Sequence, residues 1–446
     1  MIAHTIAPPA LAPDPAAADH RAWRPATRLA FRVTFVYFGL YVLTTQMLGG
    51  FNVVPFWLHP QPLEQLPPMR NVVTWTAQHV FHVTRPIVVA ASGSGDRTFN
   101  WVAAFCLFVI ALLAAVAWTL VDRRRAEYRS LNKWFRVFVR FALATTMLSY
   151  GMQKALPLQM PYPPLQRLVE PFGNFSPMGV LWYSIGASPG YERFAGLMEV
   201  AAAVLLFAPA TTTLGAAVAF ADTVQVLMLN LTYDVPVKLF AFHLLLLSIV
   251  LLAPDIPRLL NVFVFDRATV PSTQPPLATG RGARRLIAAA QIVLGIYYVG
   301  LHYTGASRAW ARSGSAAPRP SLYGVWDVER MWVDGVERAP LVTDYDRWRR
   351  VIVSTASGMT FQRMDESFVA YSARYDEKAR AIALSKPADR TWKASLTYAQ
   401  PRPGVLTVDG GIDGHAVRME LQLFDTNRFL LVSRGFSWVQ EFPFNR

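Results

Sequence analysis

Seven runs of apolar residues, near 29–48, 101–121, 137–155, 194–209, 214–231, 237–253 and 286–303, constrain the fold of this chain more than any other feature. Each approaches the roughly 17–25 residues that carry a helix across bilayer hydrocarbon. Composition agrees, with 53% of the 446 residues hydrophobic and 16% charged, against about a quarter charged in soluble domains. Disorder, a collagen-like rod and a coiled coil are thereby excluded over most of the length. The fourth run stops at Pro209 before the uncharged turn Ala210-Thr211-Thr212-Thr213, so the fourth and fifth runs read as a helical hairpin.

A net charge of +14 would raise nucleic acid as a partner of a soluble protein. Here the cations flank apolar runs, where they set membrane orientation instead. Arg21, Arg24 and Arg28 precede the first run; Arg123, Arg124, Arg125, Arg129, Lys133 and Arg136 follow the second; Arg258, Arg267, Arg281, Arg284 and Arg285 precede the seventh. The alternate connections hold fewer: Arg70, Arg85 and Arg97 in one, Arg167 and Arg193 in another. This bias predicts a multi-pass protein of a bacterial inner (plasma) membrane with its N-terminus in the cytoplasm. An odd number of spans then places everything after Tyr303 outside. Residues 1–27, rich in Pro and Ala, read as a mobile cytoplasmic tail rather than a cleavable signal, because the first apolar run begins only near Leu29. The single cysteine, Cys106, sits inside an apolar run, which rules out a disulfide framework or a Cys-based metal site.

From Leu322 the pattern changes to strands. Val325, Asp327, Glu329 and Met331 alternate, and Val351-Ile352-Val353, Thr360-Phe361 and Phe368-Val369-Ala370-Tyr371 follow. Turn signals recur at Asp334-Gly335, Asp376-Glu377-Lys378, Asp409-Gly410-Gly411, Asp413-Gly414 and Asp425-Thr426-Asn427, which predicts an antiparallel meander of about eight or more strands. The fold class expected is a membrane all-α bundle of about seven helices followed by a separate all-β antiparallel barrel. In domains, 28–136 holds two spans and an extracytoplasmic loop, 137–262 a four-helix core, and 263–303 a cytoplasmic loop with the seventh span. A linker over 304–320 leads to the barrel at 321–446.

Ionisable groups inside spans are costly and mark sites by default. Lys154 closes the third run in Tyr150-Gly151-Met152-Gln153-Lys154, and Glu199 lies about five residues, roughly 8 Å, into the fourth from outside. Asp222 and Gln225 precede the outer end of the fifth run; Asn230, Tyr233 and Asp234 form the outer turn; Lys238 opens the sixth, with His243 roughly 8 Å further in. These groups share one depth and predict an outward-facing polar pocket. Lys154, Glu199, Asp222 and His243 are its reactive candidates, and Gln153, Gln225, Asn230 and Lys238 would hold a ligand. Snorkelling of Lys238 and Lys154, a structural Glu199–Lys154 ion pair and a hydrogen-bonded core His243 are the competing readings.

His79 and His82 stand i, i+3 in Trp75–Val83, a segment that reads as an interfacial helix. Two histidines so spaced can share a metal, but no third ligand is near and no metal site is expected. Ser92-Gly93-Ser94-Gly95-Asp96 lacks the Lys-Ser/Thr of a phosphate loop and reads as a turn, with Asp96 or Thr98 capping the next helix.

Residues 137–262 resemble the four-helix core of the DoxX-like family. The likeness rests on Gly151-Met152-Gln153-Lys154, on Gly196-Leu197-Met198-Glu199, and on Lys238-Leu239-Phe240-Ala241-Phe242-His243 running to Leu252-Ala253-Pro254-Asp255. The family's Gly-x-x-Lys and Glu positions fall on Lys154 and Glu199, and its members are linked to quinone-coupled redox systems of the membrane. The core is also similar to that of the vitamin K-dependent carboxylase family, in which a Lys after a similar Tyr-x-x-Gly stretch acts with the quinol. Ala155-Leu156-Pro157 stands where that family usually has Asp-Trp.

Gly324-Val325-Trp326 resembles the Gly-x-Trp of lipocalin-like barrels, where an Arg from the last strand covers the indole; the resemblance gives that role to Arg434. The expected function is quinone- or lipid-linked redox support near the outer leaflet, with membrane lipid or quinone and a redox protein as partners. In this reading Lys154 and Glu199 hold a polar head group while Asp222 and His243 handle protons. The alternatives are a quinol-dependent carboxylase-like enzyme with Lys154 as the reacting group, and a carrier whose barrel holds an apolar molecule.

Overall fold

The computed structural model describes residues 22–51, 62–272, 274–315, 317–389 and 391–445, without side chains at 49–51. The expectation for most of the N-terminal tail lies outside the described residues. The helices are α1 (Pro25–Thr44), α2 (Met69–His79), α3 (Thr98–Val121), α4 (Arg129–Ala155), α5 (Leu165–Leu168), α6 (Pro177–Gly186), α7 (Pro189–Phe207), α8 (Thr212–Thr232), α9 (Lys238–Leu252), α10 (Ile256–Phe263) and α11 (Arg281–Ser313). Each apolar run of the sequence is helical, and the last helix continues past Tyr303 to Ser313. Five stretches are long and apolar enough to cross a membrane: Pro25–Thr44, Thr98–Val121, Pro209–Thr232, Lys238–Phe263 and Arg281–Ser313. α4 and α7 are more charged, carrying Arg129, Lys133, Arg136, Arg140 and Lys154 in one and Glu192, Arg193 and Glu199 in the other.

The chain forms two compact units, one of residues up to Met152 with Ala195–Gly305, the other of Gln153–Phe194 with Ala306–Arg446. In the first, α4 and α7 approach so closely at Gly151 that an added Cβ would lie 2.8 Å from the Gly196 carbonyl oxygen and 2.9 Å from the Glu199 Cβ. Small residues at a crossing let two helix backbones meet closely. The Gly151 and Gly196 of the sequence motifs are therefore packing positions. Polar side chains fix the other neighbours. Arg32 of α1, 3% exposed, donates to the Tyr128 hydroxyl at 2.6 Å, to Thr119 Oγ1 at 2.6 Å and to the Asp122 carbonyl at 3.0 Å.

The strands of the second unit are β1 (Gly324–Val333), β2 (Val336–Glu337), β3 (Trp348–Thr355), β4 (Gly358–Arg363), β5 (Phe368–Asp376), β6 (Ala381–Ser385), β7 (Lys393–Arg402), β8 (Val405–Ile412) and β9 (His415–Leu423). They run in order as an antiparallel meander, and β9 pairs back onto β1, closing a barrel of eight strands with β2 as a short appended hairpin arm. Two turns have the residues that their geometry demands. Asp334 (φ 51°) with Gly335 (φ 82°), and Asp413 (φ 53°) with Gly414 (φ 86°), each put two positive φ angles between paired strands, as a two-residue type I′ hairpin requires. Asp409-Gly410-Gly411, expected as a turn, is strand instead: it lies within β8. A Cβ on Gly410 would stand 2.3 Å from the Ser395 carbonyl oxygen, so glycine serves the close approach of β7. The simple alternation read along β1 is broken by a bulge between Val328 and Arg330. Trp326 and Val328 before it, and Met331 and Val333 after it, all enter the core.

The barrel interior is filled by its own side chains. Trp326, Met331, Trp348, Met359, Phe361, Leu396, Met419 and Leu421 are buried there together, and Trp348 stacks on Phe361 at 4.2 Å between centroids. Outside the wall, Val325 and Ile352 are buried under Leu165 of α5, with Leu168, Val169 and Phe424 around them. Gln362 donates to the Val169 carbonyl at 3.3 Å. The Trp326 indole donates to the Leu322 carbonyl at 3.0 Å. The role given to Arg434 does not hold: it lies beyond the last strand, next to the short helix Leu430–Ser433, donates to Ser437 at 2.9 Å and stands over the Phe444 ring.

Candidate functional site

In the helical unit, α9 delivers His243 into a buried aromatic stack. Its Nδ1 lies 2.7 Å from the Leu239 carbonyl one turn earlier, and its Nε2 lies 2.7 Å from the Tyr37 hydroxyl of α1. A carbonyl only accepts, so Nδ1 carries hydrogen; the neutral ring then accepts the Tyr37 proton at Nε2. The imidazole also lies flat on Tyr41, 3.8 Å between centroids and 2° between planes. Tyr37, 206 residues away in sequence, was outside the reach of helical spacing rules.

Tyr41 also lines a cavity of about 650 Å³. Tyr41, Gln46, Glu64, Arg97, Asn100 and Tyr150 supply its polar wall, and Leu107, Leu239 and Phe240 its apolar one. Three of the polar groups form a chain: Arg97 Nε donates to Asn100 Oδ1 at 2.9 Å, and Asn100 Nδ2 donates to Glu64 Oε1 at 3.2 Å. Glu64 follows Pro62 in a loop turn and is only 5% exposed. Burial pushes its carboxyl up to about 7, against the opposing pull of Arg97 and Asn100. A carboxyl near neutrality beside a fixed guanidinium can hold or release a proton at ordinary pH.

The loop before α3 shapes the cavity rim in an unexpected way. Asp96 does not cap its own helix; Arg97 holds the N-cap position of α3 without a side-chain cap. The Asp96 carboxylate instead accepts from the backbone amides of Lys238 and Leu239, both at 2.9 Å. Two free amide donors of α9 are thus satisfied from another part of the chain, where the helix dipole favours a negative charge. Lys238 Nζ lies 3.7 Å from Asp96 and 2.7 Å from Asp234. Gly95 N donates to the Pro236 carbonyl at 2.7 Å.

The remaining sequence candidates lie outside the residues that line this cavity. Glu199 is buried against Gly151 in the helical unit. Lys154, also buried, belongs to the other unit, where its charge acts on Glu192. Glu192 is fully buried and accepts from the Met160 amide at 2.9 Å. Gln153 and Gln225 are exposed, and Asp222 is half-buried on α8. Asn230 organises the turn into α9: its side chain donates to the Val237 carbonyl at 3.5 Å and its carbonyl accepts from Val235. None of the eight lines the cavity as described. Glu64, Arg97 and Asn100 were missed; the one sequence signal for them was a polar loop between two spans. His79 stacks on Trp75 at 4.9 Å and bonds its carbonyl, while His82 lies beyond α2 with φ 51°, so the two do not share a helical face.

No family model matches this chain, and no solved structure matches it. Among curated proteins it is similar to "Uncharacterized protein YwoB" of Bacillus subtilis (strain 168), with 27% identity over 149 residues, covering 31% of this chain and 86% of that protein.

Proposed function

We propose that this chain is a multi-pass protein of a bacterial plasma membrane that binds a quinone at the outer end of its helical unit, in support of a redox step. The observation that carries the reading is the cavity of about 650 Å³ with Tyr41, Tyr150, Glu64, Arg97 and Asn100 on its wall. Ligand pockets of roughly 300–1,000 Å³ that join an apolar wall to a few aimed polar groups fit a ring with two oxygens. Bound there, a quinone would supply paired electron and proton transfer. Tyr150 and Arg97 are placed to donate to its oxygens, Glu64 to hold or accept a proton at its carboxyl, and Tyr41 to present a flat face braced by His243. The resemblance of residues 137–262 to the DoxX-like family points to the same class. The filled barrel weighs against a carrier that stores an apolar molecule there, and Ala155-Leu156-Pro157 against a carboxylase.

A parity argument supports the proposed sidedness. Gln153–Phe194 and the residues from Ala306 onward belong to one compact unit, so both are assigned to one side of the membrane. The number of crossings between them must be even, which α7, α8, α9–α10 and α11 satisfy together. The three most apolar stretches of that region alone would leave it odd, so α7 counts as a span despite its charges. The basic connections then face the cytoplasm.

The test is extraction of quinone from full-length protein purified in mild detergent from quinone-replete membranes. Wild type is expected to retain quinone well above an unrelated membrane protein. Tyr150→Phe and Arg97→Gln should each retain about tenfold less, the loss of one charge-assisted or buried hydrogen bond, while Gln225→Ala retains it. Background quinone in wild type, or equal retention in all variants, sinks the reading.

A further inference from the structure

A second cavity in the helical unit, of about 690 Å³, is lined by Lys133, Arg136 and Arg140 of α4, by Thr212 of α8, by Asp255 in the turn after α9 and by Arg258 of α10. Four cations face one carboxylate among the described residues of its wall. That carboxylate is already engaged: Asp255 accepts from Arg258 at 2.6 Å, Thr213 at 3.0 Å and Ser272 at 3.1 Å. Arg140 is 5% exposed and donates to Thr212 at 2.9 Å and to Gln291, both neutral. Lys133 donates only to the Leu277 carbonyl, at 3.3 Å, among the described residues. Arg136 Nη1 and Arg140 Nε are shut off from solvent with no hydrogen-bond partner among the described residues. A guanidinium stays charged and has five donors in a fixed fork. Buried donors without acceptors are costly, and two of them, on residues lining one cavity, call for an acceptor that the described residues do not supply.

We infer that this cavity binds a phosphate group, held by Arg136 and Arg140 with Lys133 beside them, as the head group of an anionic phospholipid or as free phosphate. The chemistry follows from the donors: tetrahedral oxygens accept from two guanidinium forks at once, and a divided negative charge suits several cations. Its place in the cytoplasmic leaflet rests on the orientation proposed above; the anion chemistry does not. Basic pockets between helices on that side are where anionic head groups lodge.

The experiment uses the full-length protein in neutral detergent and has two arms. Native mass spectrometry compares retention of phosphatidylglycerol with phosphatidylcholine. Thermal melts compare inorganic phosphate with chloride at equal ionic strength. A phosphatidylglycerol preference that falls about tenfold in Arg136→Gln, as for one lost charged hydrogen bond, and is kept in the exposed control Arg123→Gln, assigns a lipid head group. Stabilisation by inorganic phosphate that vanishes in Arg136→Gln, without any lipid preference, assigns free phosphate. Should Arg136→Gln fail to fold, Arg136→Lys keeps the charge but loses the fork and should weaken the response several-fold. No response in either arm, or equal responses in wild type and the Arg136 variants, overturns the site.

Discussion

The barrel and the helical bundle use polar side chains differently. In the barrel the backbone ladder specifies the neighbours, Trp326, Trp348, Phe361 and Met419 make an apolar interior, and the buried Arg347 bonds backbone carbonyls such as that of Val328. Its ion pairs, such as Arg330–Glu337 and His415–Asp334, lie outside in solvent, where they contribute little. In the helical unit each helix satisfies its own backbone, so the ladder chooses no partner. Polar contacts between sequence-distant segments do so instead: Arg32 with Tyr128, Tyr37 with His243, Asp96 with the start of α9. The contrast teaches where chemistry can lodge. A barrel interior built of apolar rings offers chemistry few groups, whereas a bundle held by polar contacts keeps cavities lined with ionisable groups.

Four substitutions sharpen or break this comparison. Phe361→Ala removes a fully buried ring and should cost the barrel roughly 3–5 kcal/mol, read in a denaturant titration followed by tryptophan fluorescence. A much smaller loss would mean that the interior is looser than its packing implies. Glu64→Gln acts through pH. Burial pushes the folded carboxyl up to about 7, above its ordinary value of 4.5, so the folded state binds the extra proton. Stability from this group is then fullest below about 4.5 and declines as pH rises toward 7, by up to about 3 kcal/mol. Melts between pH 5 and pH 8 (roughly the window in which this carboxyl titrates) should slope downward in wild type and less so in Glu64→Gln; parallel slopes would refute a buried, neutral-leaning Glu64.

Asp96→Ala leaves the two leading amides of α9 unbonded and Lys238 short of one partner. A lost cap costs about 1–2 kcal/mol, and amide exchange at Lys238 and Leu239 should quicken first; unchanged exchange would remove the tertiary cap from the account. Tyr37→Phe deprives His243 Nε2 of its donor and should cost about 1 kcal/mol, with the imidazole nitrogen resonance shifting. An unmoved resonance would mean that the ring bonds elsewhere.

The fold was legible where period and turn chemistry are local. Every apolar run became a helix, and Asp334-Gly335 and Asp413-Gly414 became the tight hairpins that their residues require. Gly410-Gly411 misled because glycine marks a close strand approach as readily as a turn. The bulge at Val328–Arg330 escaped because nothing in its residues announces the extra position. The candidate site was less legible. His243 was read from its place on an apolar helix, but Tyr37, Glu64 and Asp96 reach partners 206, 36 and 142 residues away. Only three-dimensional packing brings such groups together, and one sequence holds no trace of the pairing.

The Asp96 cap also sets a schedule for synthesis. Its carboxylate leaves the ribosome 142 residues before the amide of Lys238 that it will bind. At about 5–20 residues per second that interval is roughly 7–28 s. Through that time the loop after α2 waits with a solvated charge, and α9, once made, begins with bare amides until the two meet. The first three helices are thus fastened to the sixth apolar run only late in translation, and a chain stalled in between carries a loop that has not met its helix.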